Sequence, residues 1–373
     1  MPANIAHMLI AHEALKRLKA DGDEGVKEFG EMLDDTGTGN YRAYMNLGSL
    51  GPDLYYYVDI GRSLQDILVD RYMEAKAITR WSYHLHSSQP NVFPLRLMEI
   101  LFTDVDRKDG KVEDLKDGDK SKLTYIAGHL THIAADQIIH PLVNKIAGPY
   151  YAEGKNRGKH RECEVFQDYF LYNKIYEDKI ERDPGYGFFE QKFHEWVDCV
   201  KNVKELEEWV RYIKREKLRI KWNIRKALRF LKVAKMKNTR DWFRYFLQRG
   251  FAETYSIYPS EEAIEDSVDN LLLVLWTCRR AGPYKKVAKE YEEDAEKRAE
   301  YLKYIKDDEK GIDYMERYEE AVELSVVYLK ALYEVYLVLN KAGDFNEHCK
   351  ERFLRIVSDA DLSCPLKRGM PVG

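Results

Sequence analysis

The chain has 373 residues, 45% of them hydrophobic, enough to bury a sizeable core as one large domain or two average ones. A formal net charge of −4 gives no global reason to bind nucleic acid or an anionic membrane. That average conceals residues 201–250, which hold 17 Lys and Arg against 5 Asp and Glu, a local charge of +12.

Apolar residues recur at i, i+3 and i+4 from Ile5 to Val357, while alternating β-branched runs bounded by turns are nearly absent. The expected fold class is all-α. The spacing predicts helices over 5–20, 23–33, 41–47, 62–80, 91–103, 120–146, 159–180, 188–199, 203–218, 220–236, 239–248, 260–280, 283–305 and 311–342. Glycine and proline clusters at 48–57, 87–94, 147–160 and 182–187 read as loops. The first of the helices carries no basic region ahead of an apolar run, so no secretory signal is expected. No window approaches about 18 uninterrupted apolar residues, so no transmembrane helix is expected either. Five scattered cysteines without a CxxC pair suit a reduced cytoplasm. The polar run 104–122 sets Asp104, Asp106 and Asp109 ahead of Gly110, one residue out of register for an EF-hand, and reads as a solvated hairpin. Eight of the ten histidines precede residue 185, and a Lys-, Arg- and Glu-rich helical region follows it. The expected organisation is a domain over 1–185 and a charged helical region over 186–373.

The segment "GHLTHIAADQIIHP" (128–141) concentrates three of those histidines. On a helix His129, His132, Asp136 and His140 fall at i, i+3, i+7 and i+11, one continuous face. Downstream, "KHRECEVF" places His160 and Glu164 at i, i+4 on the next long helix. Neutral imidazole and carboxylate are zinc ligands, and three- or four-residue spacing on a helix clusters them. Two in-phase rows, HxxxDxxxH and HxxxE, therefore point to a metal site, whereas a lone helical histidine more often packs or faces solvent.

The set "PANIAHMLIAHEAL", "LGSLGPDLYYY", "HLHSSQPNVF", "HLTHIAADQIIHP" and "HRECEVFQDY", in that order over about residues 2–175, resembles the zinc-dependent phospholipase C family. That family shares a superfamily with single-strand-specific zinc nucleases. The resemblance implies a helical protein with up to three zinc ions in a cleft. It implies Asp53, His86, His132 and Asp136 around the first zinc and His140, His160 and Glu164 around the second. The third would take His7, a bridging Asp136 and the amino group and carbonyl oxygen of the N-terminal residue. Members place a tryptophan there; here loss of Met1 would leave Pro2 as the terminal ligand.

Some alternatives stay open at this point. His84 competes with His86, and the position of Phe93, seven residues on, favours His86. His129 reads as a hydrogen-bond partner of the ligands or as a packed residue. His12 reads as a surface residue, and Asp53 in "GPD" also fits a helix N-cap.

Several divalent cations around an anion suit phosphate-ester hydrolysis, with two zincs about 3.5–4 Å apart lowering the pKa of a shared water. Asp53 is the residue expected to orient or deprotonate that water. The leading expectation is a phosphodiester hydrolase acting on a phospholipid. A single-strand nuclease and a non-catalytic, metal-stabilised binding protein are the other two. The basic stretch 210–246, with Trp222, Phe230, Trp242, Phe243 and Phe246, suits peripheral contact with the inner membrane surface of a cytoplasmic protein; nucleic acid stays open as its partner. Packing against the acidic run at 290–302 would neutralise it instead.

Overall fold

The structure is a computed structural model that describes residues 4–35, 41–55, 80–87, 89–105, 115–148, 154–171, 241–257, 259–260, 263–264, 267, 283–340 and 345–357. The described residues form thirteen α-helices and one two-stranded hairpin. The helices are α1 (Asn4–Lys19), α2 (Glu24–Leu33), α3 (Tyr41–Ser49), α4 (Gly51–Leu54), α5 (Arg80–Ser87), α6 (Val92–Asp104), α7 (Asp117–Ala147) and α8 (Gly154–Leu171). After them come α9 (Asp241–Tyr255), α10 (Pro283–Glu293), α11 (Ala295–Leu302), α12 (Tyr314–Asn340) and α13 (Glu347–Ile356). Strands β1 (Lys306–Asp307) and β2 (Ile312–Asp313) pair antiparallel just before α12.

The 31-residue α7 is the centre of the fold, because every residue from Ser121 to Asp136 is buried. A helix covered all round must have neighbours on every side, and α3, α12, α8, α6 and α1 pack against it. The tightest of these contacts is set by two glycines. A Cβ on Gly128 would stand 2.2 Å from the Met45 carbonyl oxygen, and one on Gly48 would stand 2.1 Å from that of Tyr125. The absence of both side chains lets the α3 and α7 backbones touch, which brings the end of α3 against the histidine face of α7.

Local sequence explains the helix ends. Asp23 caps α2 through the amides of Gly25 and Val26, Asp294 caps α11 through those of Glu296 and Lys297, and Asn346 caps α13 through that of Cys349. Pro141 lies inside α7, directly after His140, so the ladder bond its amide would give to residue 137 is missing there. On α12, Ala321, Val322, Tyr328, Leu329, Leu332, Val335 and Leu339 are buried at helical spacing, and α12 lies along α7 and α1. The Tyr328 hydroxyl donates to Gln137 Oε1 at 2.5 Å. One apolar core runs from Ala6 to Val357 through these contacts.

Several expected elements shift. The predicted loop 48–57 contains the short α4, and the predicted loop 147–160 becomes helical from Gly154. Helix 283–305 is two helices, divided where Asp294 turns its side chain onto the next amides instead of continuing the ladder. Helices α5 and α13 had no counterpart among the predicted ones. The predicted helices 188–199, 203–218 and 220–236, and nearly all of 62–80 and 260–280, lie outside the described residues.

Candidate metal centre

Five histidines and three carboxylates from five elements converge in the interior. α1 supplies His7, α4 Asp53, α5 His86, α7 His132, Asp136 and His140, and α8 His160 and Glu164. Asp136 stands in the middle. Its Oδ1 is 3.3 Å from the Nε2 atoms of both His7 and His140, and its Oδ2 is 3.2 Å from that of His132 and 3.5 Å from that of His86. Asp53 Oδ1 lies 3.2 Å from His86 Nε2. At the other end, Glu164 Oε1 is 3.0 Å from His160 Nε2 and 3.6 Å from His140 Nε2.

These groups fall into three sets whose ligand atoms lie within 4.8 Å of one another: His7, His132 and Asp136; Asp53, His86 and His132; and His140, His160 and Glu164. His7 and His132 stack with ring centroids 4.1 Å apart. His140, at 14% side-chain exposure, is the least enclosed of the eight; the others are at 5% or below.

The surrounding backbone orients the rings. His86 Nδ1 donates to the Ser82 carbonyl at 2.6 Å, and His132 Nδ1 donates to the Ser49 carbonyl at 2.9 Å. A proton held on Nδ1 leaves the Nε2 lone pair directed at the carboxylates, the tautomer a metal ligand needs. Ser82 does more, since its hydroxyl donates to the Pro52 carbonyl at 2.8 Å and so ties the peptide ahead of Asp53 to the helix bearing His86. Ser49 and Ser82 carry no chemistry-bearing signal in the sequence and emerge only with the fold.

The electrostatics follow from burying many charges together. Burial pushes the His132 pKa down, with His7 adding to the effect, and it pushes His160 down as well. Burial would also lower His7 and His86, but Asp136 and Asp53 outweigh it, raising His7 and bringing His86 up to about 8. Against the same burial, the histidines around Asp136 hold its carboxyl well below the usual range, and His160 brings Glu164 down to about 2. Asp53 Oδ2 and Asp136 Oδ2 are buried and have no hydrogen-bond partner among the described residues. Buried carboxylate oxygens left this way cost free energy unless a cation meets them. Inward-facing imidazole nitrogens and unsatisfied carboxylate oxygens are a donor set suited to zinc.

Each expected ligand among the described residues is in this centre; Pro2 lies outside them. His84 is not, and stacks on Tyr255 with centroids 5.1 Å apart. His129 is fully buried beside Phe93 and Tyr125, with no hydrogen bond to either ring nitrogen among the described residues. It packs behind the ligand row and does not bond to it. His12 departs from expectation, being half-buried with its Nε2 2.8 Å from Asn46 Oδ1. Asp168, one turn beyond Glu164, was not anticipated, although HxxxExxxD in 160–168 puts it on the ligand face of α8. The run 104–122 gathers no metal set among its described residues: Lys122 pairs with Asp104 at 3.3 Å and with Asp119 at 3.4 Å.

Fold and site together define an all-α protein built around a buried histidine and carboxylate centre. Residues 6–260 match the family described as zinc dependent phospholipase C, and the chain belongs to that family of zinc hydrolases. The match extends past residue 185 and past the segment that carried the resemblance. No curated protein and no solved structure matches the chain. No described helix is long and apolar enough to cross a membrane.

Proposed function

We propose that the protein hydrolyses a phosphodiester, with a phospholipid as substrate, at a centre where His7, Asp53, His86, His132, Asp136, His140, His160 and Glu164 hold up to three zinc ions. The observation that carries this reading is the sharing of His132 between two of the ligand sets while the third lies against the same Asp136. Contiguous cation sites suit the phosphoryl group, whose non-bridging and leaving oxygens both gain negative charge. Zinc, when bound, supplies Lewis-acid charge to those oxygens and acidifies water.

The chain's own residues do the rest. Asp136 joins the sets through its two oxygens, and the Ser49 and Ser82 carbonyls keep two imidazoles in the ligating tautomer. Asp53 would take the proton of the attacking water, a role supported by its buried Oδ2 having no hydrogen-bond partner among the described residues. Water adds to phosphorus, the bond from phosphorus to the glycerol oxygen breaks, that oxygen takes up a proton equivalent to the one Asp53 removed, and diacylglycerol leaves with the phosphorylated head group in solution. Burial of the centre keeps bulk water from competing for the same oxygens. The basic stretch 210–246 would hold the protein at an anionic bilayer surface, at about 1 kcal/mol for each Lys or Arg that reaches it.

The test is turnover of phospholipid vesicles, a soluble phosphodiester and a single-stranded oligonucleotide by zinc-loaded wild type and Asp53→Asn. Vesicle turnover that Asp53→Asn reduces by at least ~100-fold is expected, the scale of a lost general base. Cleavage of the oligonucleotide alone would replace the lipid by nucleic acid. Zinc retention with no turnover of any of the three would leave a metal-stabilised binding protein.

A further inference from the structure

The face of α8 that presents His160 and Glu164 continues one turn to Asp168, whose side chain is wholly buried and belongs to none of the three ligand sets. Its carboxylate turns to α1 instead. Oδ1 accepts the amide of Ala6 at 2.9 Å and Oδ2 accepts that of Ile5 at 3.2 Å. First-turn amides have no acceptor within their own helix, and the positive end of the helix dipole lies there. A capping residue normally stands just before the helix it caps. Here the acceptor arrives from 162 residues away, and it binds the two amides immediately preceding His7.

His7 is the only ligand α1 contributes, and it has little latitude. Its Nε2 is 3.3 Å from Asp136 Oδ1, and its ring stacks on His132. A shift of the first turn by about 1 Å would be enough to disturb a site that depends on distances of this order. Two charge-assisted bonds to successive amides hold both position and rotation of that turn, where one bond would leave a pivot.

We propose that Asp168 is a positioning residue for the metal centre, setting His7 by seating the first turn of α1; this rests on the zinc reading above. Asp168→Asn keeps the shape of the side chain but replaces one acceptor by a donor that faces an amide and removes the charge.

The experiment measures zinc per chain and zinc affinity by chelator competition for full-length wild type, Asp168→Asn, His7→Ala and the double variant, with circular dichroism on each. In Asp168→Asn one zinc class is expected to weaken by ~10–100-fold, the usual cost of losing an outer partner of a ligand. It should be the class that His7→Ala weakens, and the double variant should be no worse than His7→Ala. Unchanged zinc binding in a folded Asp168→Asn would overturn the positioning role while leaving the zinc centre intact, and so would an equal weakening of every zinc. No zinc in the wild type overturns the zinc reading and the positioning role with it. If Asp168→Asn does not fold, wild-type amide exchange decides: slow exchange at Ile5 and Ala6 supports the seat, and exchange as fast as in a free peptide overturns it.

Discussion

Two histidines two positions apart, His84 and His86, show how far one residue's environment governs its chemistry. His86 is 3.2 Å from Asp53 and held by the Ser82 carbonyl; His84 is stacked on Tyr255 outside the centre. His86→Ala is expected to weaken zinc by more than the ~10–100-fold that loss of an outer hydrogen-bond partner costs, while His84→Ala retains the full metal count. Chelator competition on the two variants checks this, and the reverse order would move the first ligand set to His84. Protonation gives a second test in metal-free protein. His132 and His160 have pKa values lowered by burial, so their contribution to stability is complete above the unfolded value of 6.5 and lost as pH falls through their folded values. His86, raised to about 8, contributes below 6.5 and loses that contribution as pH rises through 8, about 2 kcal/mol for a shift of this size. The melting temperature in chelator should therefore peak near pH 6.5 and fall on both sides. A second fall is expected below about pH 4.5, where Glu164, lowered to about 2, becomes protonated first in the unfolded chain.

Among the elements, the close crossing of α3 and α7 has the most direct consequence for the site. Gly128→Ala would place a methyl 2.2 Å from the Met45 carbonyl and 2.7 Å from the Ser49 amide, backbone atoms that cannot rotate away. The helices must separate, at a cost of roughly 1–3 kcal/mol as for other overpacked cores. Because the Ser49 carbonyl holds the Nδ1 proton of His132, the same change should weaken zinc binding. Urea denaturation combined with zinc titration measures both; a loss of stability with full zinc affinity would show that His132 is oriented independently of α3.

For the molecule as a whole, the proposed metal centre and the core are expected to unfold together, since one apolar cluster runs through both. The proposed ligands come from α1, α4, α5, α7 and α8, elements separated by up to 157 positions from His7 to Glu164 in the chain, so zinc held by them would cross-link most of the first 171 residues. Chelation is expected to lower the melting temperature, since a ligand held at a thousand times its dissociation constant stabilises by about 4 kcal/mol. Leu332, fully buried on α12, carries no ligand and stands far along the sequence from every one of them. Leu332→Ala should nevertheless lower the stability of the zinc region by about 2–5 kcal/mol, because α12 covers α7 and α1. Calorimetry of wild type and variant, each with zinc, would show a single shifted transition; an unshifted zinc-dependent transition would mean that α12 unfolds by itself.

The helical class was legible from apolar spacing, because a 3.6-residue period reports on one element at a time. The rows His132, Asp136, His140 and His160, Glu164 were legible for the same reason: four residues along a helix is a fixed geometry whatever surrounds it. His7, Asp53 and His86 have no such local signature, and only the resemblance to a known family singled them out. What tertiary structure alone decided is which neighbours those residues meet: that His86 and not His84 faces Asp53, that Gly48 and Gly128 bring Ser49 onto His132, and that Asp168 caps a helix from across the chain. Those contacts depend on the relative placement of helices, which a local period does not encode.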